Sequence, residues 1–216
     1  IFTELGKLLS SARPSVGLRL IADSGLLAVV APDLDRQRGV SQNKVAGEDL
    51  WDHTLRTVDA TPNRPLVRLA ALMHDVGKPD TLGEGHFHNH ESVGAVMARD
   101  YLSRLHAPRL LQERVAHLVL HHMFMYRPNW TDAAVRRFIG KVGPGSIDDL
   151  LARRAADNEG SGQAAAAGGL AALAPRRKGQ AAMRRVHNRN DPVPPGKGVA
   201  AGTGTQPGER ERAAGG

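Results

Sequence analysis

The sequence is short of several residue types. Its 216 residues include no cysteine and only two Trp, two Tyr and four Phe. The lack of cysteine excludes disulfides, thiolate metal sites and a cysteine nucleophile, and it fits a reducing compartment, so we expect a cytoplasmic protein. No run approaches the ~20 consecutive apolar residues that a membrane span needs, so we expect no membrane partner.

A starting Met is also missing, since the chain begins at Ile1. The first residues have neither the basic segment nor the long apolar run of a secretory signal peptide. We therefore expect a fragment of a longer protein or a processed chain.

Acidic residues are scarce only near the end of the chain. Residues 1–160 carry 20 basic and 19 acidic side chains, whereas residues 161–216 carry 9 basic and 3 acidic ones. The formal charge of +7 therefore belongs mostly to the tail and does not indicate a nucleic-acid surface on the rest. Residues 161–216 are also rich in Ala, Gly, Pro and Arg, and we expect this low-complexity tail to be disordered.

Helical patterns fill the remainder, with few strand signals and no internal repeat, so the sequence predicts an all-α fold. Residues 1–44 hold two short helical patterns, and residues 45–160 form a dense helical region. In that region we expect helices over about 48–59, 65–76, 90–105 and 108–124, a fifth that starts after Thr131 and covers Val135, Phe138 and Ile139, and a sixth over 146–157. Thr131 is the expected cap of the fifth, and Ser146 with Asp149 has the spacing of a capping box.

Histidine is concentrated in one part of the chain, with nine of its ten residues between positions 53 and 122. His53 lies in the middle of one predicted helix, His74 and Asp75 end an apolar helix, and Asp157 ends the last. Helices of a bundle can direct such side chains at one ion. Each residue alone is more often structural, and only the dispersed set indicates a metal site.

A second histidine group could hold another ion or bind phosphate; it consists of His90, with Glu91 beside it, His121 and His122. The other histidines of the region are expected in loops or at packing and surface positions. Two arginine pairs are expected on solvated faces, although either could meet a phosphate: Arg136 with Arg137, and Arg153 with Arg154.

Taken together, these residues resemble the HD superfamily, in which a histidine, a His-Asp doublet and a later aspartate recur in this order. Further segments resemble, in order and approximate spacing, the C-terminal half of bacterial CCA-adding tRNA nucleotidyltransferases and related poly(A) polymerases. They are residues 40–44, 51–55, 72–79, 87–91, 121–123, 130–138 and 156–158. The resemblance covers about residues 1–162.

The resemblance implies an HD metal-binding domain at 45–160, preceded by a neck segment at 1–44 that contacts nucleotide or RNA. It implies a divalent ion (Ni, Co, Mn, Mg or Fe) held by His53, His74, Asp75 and Asp157. The implied reaction is hydrolysis of phosphomonoesters or 2′,3′-cyclic phosphates at RNA or nucleotide ends, with tRNA as the expected substrate. The expected catalytic or substrate-binding residues are Lys78, Glu91, Arg136 and Arg137, with His90 or His121 as proton donor or second-site ligand.

Two departures from the family matter. The catalytic head with its carboxylate pair is missing from this sequence, so we expect no CCA addition by the chain alone and a separate head as a candidate partner. The tail departs as well, which a frameshift or gene-prediction error would produce. Two alternatives stay open: a non-catalytic tRNA-binding body of a split or truncated nucleotidyltransferase, and an HD-type oxygenase with a di-iron site.

Overall fold

The computed structural model describes residues 1–42, 45–83, 86–124, 126 and 129–162. These residues form ten helices and one short hairpin, so the predicted all-α class is confirmed. The helices are α1 Phe2–Leu9, α2 Pro14–Asp23, α3 Leu26–Val30, α4 Pro32–Asp35, α5 Leu50–Ala60, α6 Pro65–Met73, α7 His90–Arg104, α8 Arg109–Leu120, α9 Asp132–Val142 and α10 Ile147–Gly160; the strands are β1 Leu82–Gly83 and β2 His86–Phe87. The expected disordered tail lies outside the described residues and stays a prediction.

Helix α6 is the centre of the bundle. Every residue from position 67 to 73 is buried, and the helix packs against α1, α5, α8 and α10. A helix that is apolar on nearly all sides must be covered on all of them, which explains this central place. His74 and Asp75, two of the predicted site residues, follow directly after its last turn.

The N-terminal helix α1 is anchored to this central helix by a buried arginine. Arg68 of α6 donates hydrogen bonds from Nη1 to the carbonyl oxygens of Leu9 and Ser11, the latter at 2.7 Å, and from Nε to that of Thr61 at 3.2 Å. These carbonyls belong to the ends of α1 and α5, where helices leave acceptors without intrahelical partners. Arg68 therefore joins the end of α1 to α6 and to the end of α5.

Two helices end earlier than the sequence predicts. Helix α6 ends at Met73 instead of residue 76, so His74 is its C-cap and Asp75 lies in the following turn. Helix α8 ends at Leu120 instead of residue 124. In both places, backbone bonds to the third preceding residue replace the helical ones, as from Val76 to Met73 at 3.2 Å.

Of the two capping predictions, one is confirmed and the other is wrong. Thr131 accepts a hydrogen bond from the backbone nitrogen of Ala134 at 3.2 Å and caps α9, as predicted. The capping box at Ser146 is wrong, because Ser146 has a helical backbone conformation and makes no side-chain cap. Asp149 instead accepts hydrogen bonds from Arg64 and Arg114, and so ties α10 to the start of α6 and to α8.

Two glycines allow the close approaches that shape the site. A side-chain carbon at Gly77 would lie 2.6 Å from the backbone nitrogen of Gly94 and even closer to the carbonyl oxygen of His90. One at Gly160 would lie 2.5 Å from Oγ1 of Thr57. The first glycine lets α7 approach the turn after α6, and the second lets α10 pack directly on α5.

No helix in the described part of the chain is both long and apolar enough to cross a lipid bilayer.

Candidate metal centre

The first group of candidate ligands comes from α5, the turn after α6, and α10. Nε2 of His53 and Nε2 of His74 are 3.2 Å apart, and Oδ2 of Asp75 is 3.0 Å from Nε2 of His74. Oδ1 of Asp157 lies 3.2 Å from Nε2 of His53 and 3.8 Å from that of His74. All four side chains are at least nine-tenths buried, and their ligand atoms face one small space.

A second group shares Asp75 with the first. Nε2 of His90, at the start of α7, is 3.1 Å from Nε2 of His122, just after α8. Both nitrogens approach the other oxygen of the Asp75 carboxylate, at 3.4 and 3.5 Å from Oδ1. Each group contains at least three atoms that could ligate one ion, and Asp75 lies between the two groups.

The four imidazole rings are oriented in the same manner, because each Nδ1 lies against a backbone carbonyl oxygen. The pairs are His53 with Gly160 at 3.3 Å, His74 with Ala71 at 2.7 Å, His90 with Phe87 at 2.7 Å, and His122 with Val119 at 2.6 Å. A ring whose Nδ1–H donates to a carbonyl keeps its lone pair on Nε2. All four lone pairs therefore face the carboxylates.

This arrangement fits a divalent cation. Oδ1 of Asp157 is buried and has no hydrogen-bond partner, although it faces the Nε2 atoms of His53 and His74. Burying an unpaired carboxylate oxygen is costly, and opposed lone pairs repel. Imidazole nitrogens with carboxylate oxygens are a donor set that first-row divalent metals favour.

The site's electrostatics favour the ligating protonation states. Burial lowers the pKa of His74, and burial together with the charge of Arg153 lowers the pKa of His122 to about 4. Burial alone would raise the pKa of Asp75, but the adjacent ammonium group of Lys78 lowers it, and the pKa lies well below its ordinary value. At neutral pH these two imidazoles are therefore neutral and the carboxylate is charged, as metal ligation requires.

Lys78 contacts the same carboxylate. Its Nζ donates a hydrogen bond to Oδ2 of Asp75 at 2.6 Å and another to Oε1 of Gln42, and it lies 5.2 Å from the ring centroid of Phe87. The side chain is buried among these three partners. Lys78 therefore neutralises part of the charge of Asp75.

Four predicted residues lie away from the two groups. His121 points elsewhere than its neighbour His122, and its ring centroid is 4.6 Å from that of His117. Arg136 and Arg137 are exposed on α9. Glu91 borders the second group without belonging to it, because its Oε2 lies 3.7 Å from Nδ1 of His90 and not from the Nε2 that faces Asp75.

One residue that the sequence predicts on a solvated face is fully buried instead. Arg153 of α10 has no exposed surface, and its Nη2 donates to Oδ2 of Asp157 at 3.2 Å and to the carbonyl oxygen of His122 at 3.4 Å. Arg154 also contacts Oδ2 of Asp157, at 3.0 Å, but is only partly buried. The signal for Arg153 was its spacing, since a residue four positions before a ligand shares its helix face.

Comparisons with known proteins identify the family of this chain. The HD domain family matches residues 46–161, and a family described as the probable RNA and SrmB-binding site of polymerase A matches residues 1–38. Three relatives illustrate the similarity. A CC-adding tRNA nucleotidyltransferase of Thermus thermophilus is 44% identical over 131 residues, covering 56% of this chain and 30% of the relative. An A-adding tRNA nucleotidyltransferase of Deinococcus radiodurans is 31% identical over 220 residues, covering 96% of this chain and 50% of the relative. A multifunctional CCA protein of Ralstonia nicotianae is 34% identical over 140 residues, covering 62% of this chain and 33% of the relative.

The chain thus spans at most half the length of these three relatives. The HD match alone takes in more than half of the chain, and it includes every candidate ligand of both histidine groups. The chain belongs to the HD domain family, and its HD region is homologous to that of tRNA nucleotidyltransferases.

Proposed function

We propose that the chain is a metal-dependent phosphohydrolase that acts on phosphomonoesters or 2′,3′-cyclic phosphodiesters at the ends of RNA or nucleotides. The observation that carries the proposal is the pair of buried histidine groups sharing Asp75. His53, His74, Asp75 and Asp157 would hold one divalent ion. His90 and His122, with the second oxygen of Asp75, would hold another ion or a phosphate oxygen.

A divalent ion bound there would supply Lewis acidity toward a phosphoryl oxygen and lower the pKa of water. The protein's own groups prepare for an anionic substrate. Lys78, Arg153 and Arg154 all contact Asp75 or Asp157, so the two buried carboxylates do not leave an uncompensated negative charge. This balance would let a phosphate group approach without strong repulsion.

Other predicted residues would act at the border of the site. Glu91 is partly exposed beside His90, where it could exchange a proton with substrate or solvent. Arg136 and Arg137 would meet the rest of an RNA substrate, since exposed guanidinium groups commonly bind backbone phosphates.

We propose tRNA as the macromolecular partner and a nucleotidyltransferase head, on this or a separate chain, as the neighbouring activity. The similarity of residues 1–38 to an RNA-binding family and the names of the relatives support this. The same observation favours a second candidate function, in which the chain is a non-catalytic tRNA-binding body. The near balance of charge in residues 1–160 disfavours strong RNA binding by the chain alone.

Hydrolysis assays separate these functions. The purified chain should hydrolyse bis(p-nitrophenyl) phosphate and a 2′,3′-cyclic nucleotide when Ni²⁺, Co²⁺, Mn²⁺ or Mg²⁺ is added, and Asp75→Asn should lower the rate at least about 100-fold. Glu113→Gln removes an exposed carboxylate that pairs with Arg99 and serves as the matched control, which should retain full activity.

Three results would contradict the hydrolase. Equal rates for Asp75→Asn and the parent would show that the activity comes from elsewhere. No hydrolysis with any ion, together with tRNA binding, would favour the binding module. Two equivalents of iron with oxygen consumption would favour an oxygenase.

A further inference from the structure

The burial of Arg153 is unfavourable for the stability of this fold. Arg153 has no exposed surface, and its Nε and Nη1 atoms are buried without hydrogen-bond partners. Removing a guanidinium ion from water costs several kcal/mol, and replacing such a group by an apolar one often stabilises a protein. Stability therefore does not explain why an arginine stands at this position.

The contacts of Arg153 connect the two histidine groups. Its Nη2 donates to Oδ2 of Asp157, a candidate ligand of the first group, at 3.2 Å. The same nitrogen donates to the backbone carbonyl oxygen of His122, a candidate ligand of the second, at 3.4 Å. A single nitrogen atom thus touches one residue from each group.

We propose that Arg153 is a positioning residue that directs Oδ1 of Asp157 toward the ion and fixes α10 against the end of α8. This role rests on the metal site proposed above. Because the guanidinium holds Oδ2, Asp157 can offer the ion one oxygen only. Because it also holds the carbonyl of His122, it limits how far the two groups can move apart.

Arg154 provides a matched comparison. Its Nη1 donates to the same oxygen of Asp157 at 3.0 Å, so it has the same charge and the same partner. It is about one quarter exposed, and its contact leaves the end of α8 untouched. If Arg154 is replaced, Oδ2 of Asp157 keeps its bond to Arg153.

Cobalt titration of the full chain measures this role without an enzymatic assay. Co²⁺ affinity and the visible absorption spectrum of the bound ion should be recorded for the parent, Arg153→Lys and Arg154→Lys. Arg153→Lys keeps the charge but replaces the long planar guanidinium by a shorter ammonium group that cannot keep the position of Nη2, and should weaken Co²⁺ binding at least about 10-fold and alter the spectrum. Arg154→Lys should change affinity by less than about 3-fold and leave the spectrum unchanged.

A double-mutant cycle with Asp157→Asn separates positioning from general stability. If Arg153 acts through Asp157, Arg153→Lys should have little further effect on Co²⁺ affinity in the Asp157→Asn background. Arg153→Met, which fills the space without a charge, serves as the second variant if the lysine does not fold, and it should weaken Co²⁺ binding to a similar extent.

The outcomes distinguish this role from the proposed site. Parent protein that binds no Co²⁺ would overturn the metal site and the role of Arg153 with it. Parent protein that binds Co²⁺, with unchanged affinity and spectrum in folded Arg153→Lys or Arg153→Met, would overturn only the role. Fully additive effects of Arg153→Lys and Asp157→Asn would also overturn it, because they would place Arg153 outside the path to Asp157.

Discussion

The carboxylate of Asp75 lies between His74 and His90, with Oδ2 3.0 Å from Nε2 of the first and Oδ1 3.4 Å from Nε2 of the second. Each oxygen faces a different histidine group. Loss of this one side chain therefore removes a candidate ligand from both groups, whereas loss of any other affects one.

Because Asp75 belongs to both groups, its replacement should affect ion binding more widely than the replacement of a residue that belongs to one group. Asp75→Asn should weaken binding of every Mn²⁺ ion, because neither group then has its full negative charge. His122→Gln should weaken only the second binding event and leave the first within about 3-fold. Equilibrium dialysis with elemental analysis measures both. Equal loss of one ion in the two variants would contradict a shared Asp75.

The metal-free protein should lose stability on mild acidification. The pKa of His122 is lowered to about 4, so between pH 6.5 and pH 4 the unfolded chain binds the proton that the folded chain excludes. The contribution of His122 to the free energy of unfolding is therefore fully present above pH 6.5 and falls by about 3 kcal/mol as the pH drops to 4. Urea unfolding in EDTA at several pH values measures it.

The control for this effect is His122→Gln, which cannot titrate in that range. Its free energy of unfolding should fall less steeply between pH 6.5 and pH 4 than that of the parent. Parallel slopes in the two proteins would mean that other groups cause the acid sensitivity.

Gly77→Ala should damage both fold and site. The added methyl group would meet the backbone of α7 at His90 and Gly94, and backbone cannot yield as a flexible side chain can. We expect a loss of about 1–3 kcal/mol in unfolding free energy and weaker binding at the second group. Gly140→Ala is the control, since its methyl group meets no atom within 4 Å and alanine favours a helix. A Gly77→Ala protein as stable as the parent would show that α7 can shift without cost.

Removal of the tail after Gly162 should leave the thermal midpoint within experimental error. The prediction rests on sequence, because residues 163–216 offer few apolar side chains larger than alanine and no apolar periodicity. Thermal unfolding monitored by circular dichroism measures the midpoints of the full chain and of the chain that ends at Gly162. A shift of several degrees would show that the tail packs on the rest.

The sequence predicts the helical class because helices such as α8 carry apolar residues at helical spacing, as at Leu111, Val115 and Leu118. It also indicates His53, His74, Asp75 and Asp157, because these residues form a dispersed pattern typical of metal sites. It could not decide between His121 and His122, because adjacent side chains differ by about 100° in direction and the end of α8 determines which one turns inward. It missed the burial of Arg153 because two consecutive arginines ordinarily indicate a solvated face.

The most direct test of the account is the position of the ion. Anomalous diffraction from crystals grown with Mn²⁺ or Co²⁺ should show a peak in the space bounded by His53, His74, Asp75 and Asp157. The peak should lie about 2.0–2.3 Å from Nε2 of His74, as transition-metal bonds to histidine require. Asp75→Asn crystals should show it weakened or missing. A saturating metal concentration that gives no peak at this point would contradict the account.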